Sequence, residues 1–275
     1  MLAVLAACSG GAGDTSIDAT GCSAFCDGAE IDAPMSGDAM AGADGDCDGL
    51  ADDVELQLAR DYLPYLSLDP ADGCALSGLV ARVRKHPADP TKVLVVYSHL
   101  FQRDCGLGGH VGDNEAFGIA IDPGLPAPAG ILAIKTASHQ NTPCERISEC
   151  TTCAGDPRDA CDVATDGAAQ WPVLYASKGK HGQYATKARC SLLGTCLDQC
   201  TLAPARTVPP VVNVGEPAHP LVTDLTAQAF ITPANGWTEA ELMNFDPWNA
   251  AFDFGGAGNV AGDLQDATFE PAPCD

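Results

Sequence analysis

The sequence predicts a mainly β fold: an antiparallel β-sandwich with disulfide-stapled loops and a few short helices. Three observations carry that expectation. Gly and Pro number 29 and 20 while aromatics make up only 6% of 275 residues, a turn-rich composition unlike that of a helical bundle. From Leu79 onward, apolar residues recur with period two in runs separated by Pro, Gly and Asp. The chain also carries 14 cysteines, which points to an oxidising compartment where disulfides persist. Cys150-Thr-Thr-Cys153 has a zinc-like spacing, but no second Cys-x-x-Cys follows, and the nearest later pair is Cys196 and Cys200.

Charge narrows the function classes. Lys and Arg total 14 against 37 Asp and Glu, a net −23. Nucleic-acid binding needs basic side chains to neutralise phosphates, so that partner is excluded. An exported protein, or one that handles cations, fits the balance.

Taken in order, the chain divides into four parts. Residues 1–8 end in Leu5-Ala6-Ala7-Cys8, which resembles the bacterial lipobox, whose Cys is acylated and becomes the mature N-terminus. The preceding apolar run is far shorter than the ~20 residues that span a bilayer, so it reads as the tail of a secretory leader. Residues 9–43 hold Gly, Ala, Asp and Ser with no Lys or Arg, and the first basic residue of the chain is Arg60. Such a segment cannot offset its chain entropy by burial and is expected to be a disordered acidic tether. The expected setting is a bacterial cell envelope, with the protein lipid-anchored to a membrane or secreted.

Residues 44–63 carry an EF-hand-like calcium pattern. Asp44, Asp46 and Asp48 take loop positions 1, 3 and 5, Gly49 the sharp turn, Leu50 the carbonyl position, Asp52 position 9 and Glu55 position 12. No helix precedes the loop, so a structural Ca2+ is expected rather than a sensor. The helix that leaves it, Asp53–Leu63, places Val54, Leu58, Ala59, Tyr62 and Leu63 along it and stops at Pro64.

Residues 64–275 form the expected sandwich. Leu79–Arg84 alternates, Pro87 and Pro90 turn the chain, and Lys92–Phe101 is a long buried strand. The next strand contains Gly109-His110-Val111-Gly112-Asp113-Asn114-Glu115 and then Phe117, Ile119 and Ile121. Alternation puts Asp113 and Glu115 on the face of those three apolar residues, at the rim where a core meets solvent. His110 lies in the Gly-flanked turn before them. A strand over Ile131–Ser138 ends at His139, a cysteine-rich excursion fills 141–170, and a strand over Trp171–Ala176 precedes Lys178-Gly-Lys-His181. Cys190, Cys196 and Cys200 mark a second stapled loop. In the last third, Thr238 and Glu241 make a capping box. Its Gly-rich run, residues 252–262, lacks the strand–turn–helix context of a dinucleotide site.

Two carboxylates and an imidazole at a β rim suit a divalent cation or a general acid–base pair. His86 and His219 each precede Pro and are expected at the surface; His99 is expected in the core. His139 and His181 each follow a strand and are the candidate bases.

These residues resemble two families. Phe101-Gln-Arg-Asp104, Gly109-His-x-x-Asp-x-Glu115 and Ala137-Ser-His139 resemble the necrosis-inducing (Nep1-like) proteins. Pro172-Val-Leu-Tyr175 and Gly179-Lys-His181-Gly-Gln-Tyr184 are similar to the vacuolar protein sorting-associated protein 62 family. The first resemblance implies a two-sheet sandwich with a divalent cation (Mg2+, Mn2+ or Ca2+) in a surface cleft, held by Asp104, His110, Asp113 and Glu115 with His139 nearby. It also implies a lipid or glycan headgroup as partner. Val111, Gly112 and Asn114 stand where that family has Arg, His and Trp. The sequence therefore favours a headgroup-binding surface protein that is not an enzyme. The alternative is a metal-assisted hydrolase using His139 or His181 as base.

Overall fold

Residues 44, 49–86, 89–109, 111–139, 142–152, 160–190, 196–206 and 208–213 are described by a computed structural model of the protein. Cys8, the 9–43 tether, Asp46, Asp48, His110, His219 and everything after Asn213 lie outside the described residues.

Eleven strands and two helices are described. They are α1 (Asp52–Asp61), β1 (Tyr65–Ser67), β2 (Leu76–Lys85), β3 (Val93–Arg103), β4 (Val111–Ile121), β5 (Ile131–Ser138), β6 (Arg146–Thr151), β7 (Val163–Asp166), β8 (Ala169–Ala176), β9 (Gln183–Tyr184), α2 (Lys187–Cys190), β10 (Pro204–Ala205) and β11 (Val211–Asn213). One sheet has the order β11-β2-β3-β4-β5-β6; the other runs β10-β1-β8-β7, with β9 also on β8. The expected mainly β sandwich is what the chain forms. Its pairing is mostly antiparallel, with two exceptions: β1 runs parallel to β8, and β11 parallel to β2.

The core forms because the period-two apolar residues of β2 to β5 share one face. Leu79, Ala81 and Val83, Val95 and Tyr97, Phe117, Ile119 and Ile121, and Ile134 are buried together with Leu174 of the second sheet. Each large side chain so buried contributes about 1.5–3 kcal/mol relative to exposure. Register locks the face, since Val95 opposes Ile119 and Tyr97 opposes Phe117; a one-residue slip would turn the whole row outward.

Helix α1 closes one side. Asp52, Asp53 and Glu55 in its first turn and Arg60 in its last complement the helix dipole. It is shorter than the sequence predicts: Tyr62 and Leu63 leave the helix but stay buried in the core. The Tyr97 hydroxyl donates to the Ala59 carbonyl at 3.0 Å. Arg206 donates to the carbonyls of Arg60, Asp61 and Leu63 and lies 4.3 Å over the Trp171 ring. The Arg60 and Asp61 carbonyls are among those a helix end leaves unmatched.

Among the described residues four disulfides join the loops: Cys74–Cys105, Cys144–Cys196, Cys150–Cys161 and Cys190–Cys200. A bridge closing loops of these lengths stabilises by about 2–4 kcal/mol, chiefly by restricting the unfolded chain.

Two expectations are corrected and one strand is added. The 141–170 excursion is not simply a loop, because it contains β6 and β7; Cys150 is buried within β6 and bridges to Cys161. Strand β1 was not expected, since three residues are too few to show a period. His86 is buried rather than at the surface, because its backbone N–H closes the β2–β3 hairpin on the Lys92 carbonyl at 2.9 Å.

Candidate metal centre

A row of stacked rings runs from the core to the rim. Tyr97 stacks on Phe117 (4.7 Å between centroids), Phe117 on His99 (5.0 Å), and Phe101 on His181 (3.8 Å, 6° between planes). His99 is buried, as expected. Burial pushes its pKa down to about 4, and the Gln183 amide Nε2–H donates at 2.9 Å to its Nδ1, a bond that only the neutral ring can accept. His99 stays neutral and opposes Glu115 across the sheet, while Phe101 opposes Asp113. The apolar row therefore ends directly beneath the two rim acids.

His181 lies between two carboxylates. Its Nδ1 is 2.6 Å from an Asp113 oxygen and its Nε2 is 3.0 Å from an Asp72 oxygen. Burial alone would lower its pKa, but the hydrogen bonds and the two negative charges outweigh burial, and the net shift is upward. Both ring nitrogens then donate and the imidazolium is held as a cation. Asp72 also accepts the Gly179 N–H at 2.6 Å, and Cys105 N–H donates to the Gly179 carbonyl at 2.7 Å. The Cys74–Cys105 disulfide ties the Asp72 loop to the Asp104 loop. Asp72, Cys74 and His181 thus bring three ligand-type atoms within 4.8 Å of one another. With the Cys74 sulfur bonded to Cys105 and both His181 nitrogens engaged, this triad as it stands binds a proton rather than a metal.

A second group of acids is adjacent. Glu115 has its carboxyl held well above the ordinary 4.5 by burial first, then by repulsion from Asp113, Asp198 and Asp104, with Lys180 partly offsetting them. No hydrogen bond reaches the Glu115 carboxylate among the described residues. Asp104 accepts the Gly106 N–H at 2.6 Å and an ammonium hydrogen from Lys180 at 3.3 Å. Gly112, at φ 73°, takes the left-handed conformation just before Asp113, which a β-carbon would oppose. Asp113, Asp104 and Asp198 thus lie near enough to Glu115 to repel its charge, with Lys180 the one cation acting against them.

His139 completes the rim. It and His181 have φ of 54° and 57°, conformations that cost non-glycine residues about 1 kcal/mol or more. The His139 Nε2 lies 2.7 Å from Asp198, whose same oxygen accepts the Tyr184 hydroxyl at 2.7 Å.

The structure thus places Asp104 and Asp113 where their charges act on Glu115, with His181 on Asp113 and His139 on Asp198; among the described residues the group whose ligand-type atoms meet within 4.8 Å is Asp72, Cys74 and His181. Asp72 and Asp198 escape the sequence reading. Asp72 reads as a turn acid in Asp-Gly-Cys, and Asp198 is one acid between Cys196 and Cys200. Long-range contacts that spacing does not specify hold them at the rim: Asp72 with Gly179 and His181, Asp198 with His139 and Tyr184, next to the Cys74–Cys105 and Cys144–Cys196 bridges.

No protein-family model and no curated protein matches the chain. Solved structures do. A triple mutant of NLPPya is similar at 16% identity, over 57% of this chain and 71% of that one, with a TM-score of 0.35. A structure described as a "Toxin fold for microbial attack and plant defense" is similar at 12% identity, over 64% and 90%, with a TM-score of 0.28. "NLPPya in complex with glucosamine" is similar at 14% identity, over 52% and 78%, with a TM-score of 0.25.

The protonation pattern sets a pH dependence. Glu115 and His181 both bind protons more tightly folded than at their ordinary values of 4.5 and 6.5. At these two groups the folded state holds more protons than the unfolded, so their share of the stability falls as pH rises. His99, whose pKa is pushed down to about 4, acts oppositely between about pH 4 and 6.5. Glu115 is therefore read as a difference: from about pH 4.5 upward, chelator-treated wild type should lose melting temperature relative to Glu115→Gln. Above about pH 6.5 the loss through His181 should appear in both proteins. A wild type that gains on Glu115→Gln as pH rises through this range would contradict the assignment.

Proposed function

We propose that the chain binds a polar or anionic headgroup, lipid- or glycan-borne, through a divalent cation held by Asp104, His110, Asp113 and Glu115. The observation that carries the reading is Glu115: its carboxylate has no hydrogen-bond partner among the described residues and is crowded by Asp113, Asp198 and Asp104. A divalent cation relieves that repulsion and leaves coordination positions for headgroup oxygens. His110 lies outside the described residues and enters the set on the sequence resemblance alone.

The test compares two neutralised acids. Glu115→Gln should weaken Mg2+ or Mn2+ binding by tenfold or more in calorimetric titration, roughly one lost charge-assisted contact. Metal-free stability should be unchanged or raised, since a repelled charge is removed. Asp122→Asn alters a turn acid paired with Lys92 at 2.7 Å and should leave cation binding alone. Glucosamine and mannosamine serve as headgroup probes, binding only with cation present. Equal cation affinity in the two variants would sink the site. A metal-assisted hydrolase using the same rim is the second reading, favoured by a His139 ring nitrogen that has no partner among the described residues. Turnover of a phosphoester or glycoside panel separates it from binding.

The loop at Asp44–Glu55 is proposed to hold a structural Ca2+. Supporting it, the Gly49 N–H donates to Asp44 at 3.0 Å, and Gly49 has φ 86°, the bend such a loop needs at its sixth position. Glu55 is buried, with one oxygen accepting from Asn213 at 2.7 Å, so its closure of the shell ties the loop to β11. Chelation should lower the melting temperature by mass action, and Glu55→Gln should remove that response. Equal Ca2+ affinity with and without Glu55 would refute the loop.

Lipid anchoring at Cys8 gives the proposed setting, a bacterial envelope or the secreted medium. Among the described residues no helix is long and apolar enough to cross a membrane. With Cys8 acylated, 14 − 1 leaves thirteen cysteines, an odd number, so one further thiol stays free or bridges two molecules. Intact mass of the exported protein should show a diacylated Cys8 at the N-terminus; an unmodified Met1 would end the idea.

A further inference from the structure

The segment carrying Asp198 is held by a disulfide on either side. Cys196, two residues before it, bridges to Cys144 in the turn after β5, and Cys200, two residues after it, bridges to Cys190 at the end of α2. The Lys178 N–H donates to the Gln199 carbonyl at 2.9 Å. Cys196 and Leu197 both have left-handed backbones, φ 52° and 69°. Leu197 is 93% exposed while the Asp198 side chain is only 3% exposed. Two bridges and a strained turn thus hold one carboxylate inward, against His139.

The geometry of that carboxylate selects a tautomer. One Asp198 oxygen meets both the Tyr184 hydroxyl and the His139 Nε2, each at 2.7 Å. Burial first, then the neighbouring Asp198 and Glu115 charges, keeps the Tyr184 phenol protonated, so it donates. An oxygen already accepting one proton accepts the second, so the His139 Nε2 carries its hydrogen and Nδ1 presents a lone pair. Room for this exists because residue 182 is glycine. A β-carbon there would lie 3.1 Å from the same Asp198 oxygen and 3.3 Å from the Ser138 β-carbon. His181 cannot serve the same purpose, having both nitrogens engaged by Asp72 and Asp113.

We propose that Asp198 is a positioning residue that fixes His139 in the Nε2–H form, so that Nδ1 accepts a hydroxyl proton of the headgroup beside the carboxylate rim. The tautomer stands on its own geometry; its use on a headgroup rests on the function proposed above. The accepted proton donor is a sugar-type hydroxyl, because a carboxylate or phosphate oxygen offers Nδ1 nothing to accept.

The test uses the full chain with 15N-labelled histidine. Ring nitrogen spectra of the chelated wild type should show His139 protonated at Nε2 and bare at Nδ1. Asp198→Asn, or the gentler Gly182→Ala that crowds the carboxylate, should give a mixture of tautomers. With Mg2+ present, Asp198→Asn should weaken glucosamine binding about tenfold, the lower range for loss of an orienting partner, while Mg2+ affinity alone changes less than about threefold. A wild-type His139 protonated at Nδ1 would overturn the proposal. So would unchanged glucosamine affinity once the tautomer is lost, or a loss of Mg2+ affinity that made Asp198 itself a ligand. A wild type that holds Mg2+ but no glucosamine refutes the headgroup function and the headgroup half of this proposal, leaving the ring spectra to decide the tautomer. The wild-type spectrum needs no variant, so the claim can fail even if Asp198→Asn does not fold.

Discussion

The rim depends on one buried cation, the His181 imidazolium held between Asp72 and Asp113. It lies on Phe101 at 3.8 Å, so the same ring is at once the last layer of the aromatic row and the first charged group of the site. Asp72 comes from the loop before β2, Asp113 from β4, and His181 from the turn between β8 and β9. Three distant segments of chain therefore meet at one ring. A buried charge pair of this kind is costly to break from either side, because the remaining partner stays desolvated and alone. That constraint explains the strained backbone at His181, which elsewhere would relax.

Charge is distributed unevenly around that clamp. Asp113 is matched by His181 and Asp104 by Lys180, whereas Glu115 is surrounded by acids. A protein folded for stability alone would pair or remove such a group; retaining it fits a partner that arrives from outside. The disulfides make the arrangement affordable. Cys74–Cys105 braces the two loops nearest Asp104, and the Cys144–Cys196 and Cys190–Cys200 bridges brace the loop bearing Asp198. Loops held covalently can keep like charges close without the core having to compensate.

Much of the sandwich is legible in the sequence because period two is a local property. The row Asp113, Glu115, Phe117, Ile119 states by itself which acids border the core, and β3 and β4 pair in the register that row requires. Strand β1 was not legible, since its three residues carry no period, and the parallel pairing of β11 with β2 joins positions far apart in sequence. The position of His86 followed from a hairpin hydrogen bond rather than from its neighbouring proline. Within the site, the acids on β4 could be found, while Asp72 and Asp198 could not. Their chemistry comes from partners over a hundred residues away for Asp72 and 59 residues away for Asp198. The two histidines looked alike in sequence, and only their hydrogen bonds separate them. His181 is engaged at both nitrogens; His139 is engaged at one.

The central claim is that a divalent cation belongs at Glu115, and paramagnetic Mn2+ tests it most directly. Substoichiometric Mn2+ added to 15N-labelled protein broadens amide signals near where it sits. The account predicts selective loss of the signals of Asp104, Asp113, Glu115 and Lys180, reversed by excess Mg2+. Broadening confined to the acidic residues before Asp52, with the signals of Asp113 and Glu115 left sharp, would contradict it.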